Sequence, residues 1–83
     1  MINSQNEGDI VQLIRTEIAR YCDHEFGNNE DFVSDMHILS DDLSAVALSV
    51  EKKLGIKIDR QRYRQINNVD EYAKLLQEEL KLR

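Results

Sequence analysis

Ser40 heads the run Ser40-Asp41-Asp42-Leu43, where a polar passage gives way to apolar residues at helical spacing. A hydroxyl at the mouth of a helix can be esterified, or it can serve as an ordinary cap. Serine followed by two acids is a common helix start, worth about 1 kcal/mol. An esterified phosphate there would meet free backbone N–H groups and the positive end of the helix dipole, while Asp41 and Asp42 would repel it. A triad of Ser40, His37 and Asp41 lacks an oxyanion-hole glycine motif, and His37 lies only three residues before the serine. Cys22, His24, Asp35 and His37 have no zinc-ligand spacing, so no metal is expected. Cys22 is the one cysteine, which excludes an internal disulfide and reads as a partly buried thiol on the first helix. Tyr21, Tyr63 and Tyr72 fall at apolar positions and read as core. No constellation supports an enzyme.

Four helices must position these groups. The spacing of Ile10, Leu13, Ile14, Ile18 and Tyr21 predicts a helix from an Asp9 N-cap to the Gly27-Asn28-Asn29 stop, with Arg15, Glu17 and Arg20 on its outer side. Residues 1–8 are expected to fray, leaving one domain over 9–83. A long loop follows, and loops of about a dozen residues are uncommon unless functional or internally packed. Phe32, Val33, Met36, Ile38 and Leu39 are expected to pin it to the core. Leu43, Val46, Ala47, Val50 and Leu54 predict a second helix from Ser40, closed by Gly55. Ile56-Lys57-Ile58 alternates too briefly to claim a strand. Arg60 to Arg64 suits a short third helix with Tyr63 inward, and Asn67-Asn68 breaks the chain again. Val69, Tyr72, Ala73, Leu76 and Leu80 share one face of the last helix, with Lys81 and Arg83 near its negative end. The expected fold class is all-α: a small bundle of three longer helices and one short one.

Eighty-three residues allow one small domain. No apolar run reaches the roughly 20 residues that span a bilayer, and no basic-then-apolar leader opens the chain. A cytoplasmic monomer is expected. The net charge of −5 argues against nucleic acid as a partner. It conceals a gradient: residues 1–51 hold eleven acids and two bases, residues 52–83 nine bases and five acids. An acidic first part would steer a basic partner surface toward it.

Read in order, Asn28-Asn29, Phe32-Val33 and Asp35, Leu54-Gly55-Ile56-Lys57-Ile58, and Ile66 with Val69 form one ungapped register over residues 28–76. That register resembles the acyl carrier protein family, and it aligns Ser40 with the serine that carries 4′-phosphopantetheine. The departures lie beside the serine: the family's Asp-Ser-Leu is Leu39-Ser40-Asp41 here, and its glycine three residues earlier is His37. A second register, placing Asp42 at the serine position, needs a two-residue deletion in the second helix and breaks the other anchors. The resemblance implies a carrier that holds an acyl group as a thioester on phosphopantetheine, with a phosphopantetheinyl transferase and acyl-processing enzymes as partners. It implies an acyl cavity lined by Phe32, Val46, Ala47, Val50, Ile58, Ile66 and Leu76. It also implies a docking surface on the second helix at Asp41, Asp42, Ala45 and Glu51. Lys52, Lys53, Arg60, Arg62 and Arg64 replace acids common in the family, which points to a specialised fatty-acid or polyketide-type pathway. The alternative is a carrier-like protein-interaction module that is never modified.

Overall fold

Each helix of this chain starts or stops where a local signal tells it to, apart from the first. The computed structural model describes residues 7–81, with α1 at Glu7–Ile18, α2 at Ser40–Leu54, α3 at Arg60–Tyr63 and α4 at Val69–Lys81. Among the described residues there is no strand; Ile56 and Ile58 are buried while Lys57 between them is exposed. Of the expected frayed segment, Met1–Asn6 lies outside the described residues, as does Arg83. Residues 7 and 8 are already helical, so Asp9 sits inside the first turn and does not cap it.

The helix α1 buries Ile10, Ile14 and Ile18 completely, at the four-residue spacing of one helix face. It ends far short of Gly27. Arg20 N–H and Tyr21 N–H bond to the carbonyls three residues back, tightening and closing the last turn. The physical reason is Phe26, which folds back into the core at 8% exposure with the Arg15 guanidinium 4.4 Å above its ring. Eight further residues of helix would carry Phe26 about 12 Å past Ile18. Tyr21 and Cys22 therefore lie beyond the helix, and Tyr21 is exposed, not part of an inner face. Glu17, expected on the outer side, is 1% exposed.

The long loop is organised by hydrogen bonds as well as apolar contacts. Asp31 accepts from the N–H groups of Val33 and Ser34, both at 2.8 Å, and those two bonds hold its carboxyl below the usual range. Phe32, Met36 and Ile38 are buried, whereas Val33 and Leu39 stay exposed and pin nothing. Phe32 N–H bonds to the Asn67 carbonyl, and Asp70 N–H bonds to that of Asn28. These bonds tie the loop to the start of α4.

The apolar spacing of α2 runs as expected to Leu54, where Gly55 takes φ 68°. Gly55 N–H bonds to the Lys52 carbonyl and Ile56 N–H to that of Glu51, the paired bonds of a Schellman stop. Asp59 caps α3 through a 2.9 Å bond from Gln61 N–H. Asn68 accepts from Glu71 N–H at 2.8 Å, while the Glu71 carboxylate reaches back to Asn67 N–H, a reciprocal start for α4. The main core joins α1, α2 and α4, and α3 closes one edge.

Candidate functional site

The exposed residue Ser40 occupies the first position of α2, following Leu39 in extended conformation. Leu39 is the N-cap residue and makes no side-chain cap bond, so Ser40 is not the cap that its sequence context suggests. The amides of this first turn thus have no side-chain partner from the capping position. Asp41 and Asp42 follow, and Lys52 and Lys53 close the other end, each charge opposing the dipole end it faces.

From Ser40 a stripe of side chains runs down α2 through Leu43, Ser44, Ala47, Leu48 and Glu51, at the three- and four-residue spacing of one face. This stripe walls a hollow of about 820 Å³. Phe32 from the loop, Ile58 and Ile66 from the connections, Tyr63 from α3 and Tyr72 from α4 complete it, with Lys57, Arg60 and Arg64 also on its wall. Five of the seven residues expected to line a cavity are here: Phe32, Val46, Ala47, Ile58 and Ile66. Val50 and Leu76 are not. Both are fully buried in the main core and do not reach the wall of this hollow.

The expected docking set also divides. Asp41 is exposed, and Asp42 and Ala45 are half-buried. Glu51 faces the hollow, where its carboxylate accepts a hydrogen bond from the Tyr63 hydroxyl, so it is corrected from a surface residue to a wall residue. Tyr63 meets Tyr72 edge-on, with ring centroids 5.8 Å apart. Burial pushes both phenols far above their ordinary value, and the Glu51 hydrogen bond adds to the rise at Tyr63. Both therefore remain hydroxyl donors across the accessible pH range. The Tyr72 hydroxyl, on a residue only 3% exposed, is closed off from solvent beside the Tyr63 hydroxyl, whose oxygen can accept its proton. Tyr72 is buried in the core and Tyr63 packs against it, as their positions in the sequence implied; that the two also wall the hollow beside Glu51 was not foreseen. The signal was present in the spacing of Ser40, Ser44, Ala47 and Glu51, which marks a second face of α2 beside the apolar one.

The other candidate groups do not assemble. His37 and Asp41 are exposed, and neither is hydrogen-bonded to Ser40. Cys22 Sγ lies 3.5 Å from His24 Nε2 beside a shallow hollow at the end of α1. Among the described residues, no three His, Cys, Asp or Glu side chains gather as a metal site would require. His37 is instead unusual in its backbone: its φ of 58° is left-handed, a conformation that glycine adopts freely and other residues rarely do.

Compared with protein-family models, curated proteins and solved structures, the chain finds no match. No described helix is long and apolar enough to cross a membrane.

Proposed function

We propose that this chain is a carrier of the acyl carrier protein type, modified at Ser40 with 4′-phosphopantetheine. The observation that carries the reading is continuity. The exposed serine that opens α2 lies on the wall of the same hollow whose apolar lining is Phe32, Val46, Ala47, Ile58 and Ile66. A hydroxyl reachable by a transferase and a shelter for a greasy chain thus adjoin. The left-handed backbone of His37 supports the register, since it falls where the carrier family places glycine.

The residues at hand fit such a group. The first turn of α2 has no side-chain cap, so its amides suit a phosphodiester. Lys57, Arg60 and Arg64 on the hollow's wall offset the repulsion from Asp41 and Asp42. When bound, the group supplies a thiol on a flexible arm, able to hold an acyl group as a thioester. The protein itself contributes water exclusion through the apolar wall and a docking face at Asp41, Asp42 and Ala45. Its partners would be a phosphopantetheinyl transferase and acyl-processing enzymes, and it would act as a cytoplasmic monomer without catalysis of its own. The basic α3 beside the hollow favours a specialised fatty-acid or polyketide-type pathway over a general one.

A second reading, an unmodified interaction module, draws on Leu39 and Leu48, which are 69% and 66% exposed around the start and middle of α2. Intact mass separates the two. With coenzyme A and a broad-specificity transferase, wild type should gain one arm and Ser40→Ala none. Several transferases leaving the mass unchanged, or an arm retained by Ser40→Ala, would reject the carrier reading.

A further inference from the structure

We infer that the hollow beside α2 is a non-covalent site for an anionic amphiphile, a free molecule with an apolar chain and a carboxylate or phosphate head. The site goes beyond the carrier reading and needs no arm on Ser40. Its volume of about 820 Å³ falls within the range of small-molecule pockets, about 300–1,000 Å³. Much of its wall is still open to a ligand: Leu43, Ala47, Tyr63 and Ile66 are only half-buried, and Leu48 is 66% exposed. Covering that surface with a chain is favoured by the same removal of apolar area from water that builds the core.

A neutral chain would use that wall alone. Three exposed cations, Lys57, Arg60 and Arg64, also line the hollow. Arg60 opens α3 and Arg64 follows its last residue in helical conformation, so a four-residue spacing sets both on one face. Arg62 turns instead to Glu78 and Glu79. Among the described residues, no carboxylate forms an ion pair with Lys57, Arg60 or Arg64. The acids closest to them in the chain and on the wall are engaged: Asp59 caps α3, and Glu51 accepts from the Tyr63 hydroxyl. Guanidinium groups grip carboxylate or phosphate oxygens through two parallel N–H bonds, and a lysine ammonium adds a point charge. Asp41 and Asp42 would repel an anion at the start of α2. The chain therefore lies along α2 with its head at the α3 edge.

The test uses the chain without an arm, checked by mass, so its outcome is separate from that of the carrier reading. Titration calorimetry at low salt compares decyl phosphate and decanoate with decanol, decyltrimethylammonium and inorganic phosphate, each below its micelle concentration. At least one of the two anionic amphiphiles should bind about tenfold tighter than decanol, the worth of two or three partly exposed ion pairs. The tighter of the two names the head. Decyltrimethylammonium and inorganic phosphate should both bind more weakly than that anion, one having the wrong charge and the other no chain. Added salt should narrow the gap. Arg60→Gln/Arg64→Gln should bring the anion close to the affinity of decanol while leaving the urea midpoint unchanged, because both side chains are exposed. Lys57→Gln, outside α3, should by itself remove part of the gap. Decanol binding as tightly as both anions, inorganic phosphate matching decyl phosphate, or a gap that survives in both variants would each overturn the inference.

Discussion

Glu17 is a carboxylate on the inner side of α1, with its side chain 2% exposed. Lys53 Nζ donates to its Oε2 at 2.5 Å, and Arg20 Nε lies 3.6 Å from Oε1. Lys53 is the main reason the Glu17 carboxyl sits below its ordinary 4.5, with burial opposing and Ser49 and Arg20 assisting. A lowered folded value means that the unfolded chain takes up the proton first as pH falls. The stabilisation is therefore complete above about 4.5 and is lost as pH drops through the folded value. Glu17→Gln should cost about 1–2 kcal/mol at neutral pH, the worth of a charge-assisted hydrogen bond with one half-exposed partner. The gap between variant and wild type in urea unfolding should shrink steadily below pH 4.5. A gap that stays constant with pH would assign the loss to packing instead of charge.

At the scale of the element, α2 shows how a helix can be specified locally yet serve two surfaces. Its apolar spacing, its acids in the first turn and its lysines in the last all favour the helical state before any tertiary contact forms. Val50 points to the main core, Ser40, Ser44 and Glu51 run along the hollow, and the buried Val46 borders both. The helix stops at Gly55 because a left-handed residue is needed for the paired closing bonds. A Cβ placed at Gly55 would touch nothing within 4 Å, so the cost of Gly55→Ala is conformational alone. It should lower stability by about 1 kcal/mol, with an unchanged urea slope. A loss of several kcal/mol would mean that the end of α2 is packed more tightly than the structure allows.

In the whole molecule, α3 is attached differently from its neighbours. It buries no residue fully, and it is held by Tyr63 to Glu51 and by Arg62, which bonds to Glu79 at 2.9 Å and Glu78 at 3.0 Å. The Arg62 side chain is about a third exposed, so solvent screens the pair and its worth stays under about 1 kcal/mol. Arg62→Ala should therefore leave the global urea midpoint nearly unchanged. Amide exchange across residues 60–63 should nevertheless rise several-fold, because this wall of the hollow opens locally. Exchange in α3 that follows global unfolding in both proteins would show that the wall moves only with the core.

Much of this could be read along the chain. Ser40 opening a helix, the Gly55 stop, the short third helix and the apolar face of α4 all depend on neighbours within about four residues, and such neighbours are visible in a linear sequence. The end of α1 was not visible, because Phe26 returns to the core only once α1 and the loop have a core to meet. Nor was the burial of Glu17, whose partner Lys53 lies on another helix. The division of α2 into a core face and a hollow face, which took Val50 out of the expected lining, depends on where α1 and α4 press against it; Leu76 on α4 was lost to the lining in the same packing. The edge-on meeting of Tyr63 and Tyr72 has the same origin. Helical period and capping are short-range; which faces meet, and which side chains they bring together, is set by packing between distant segments.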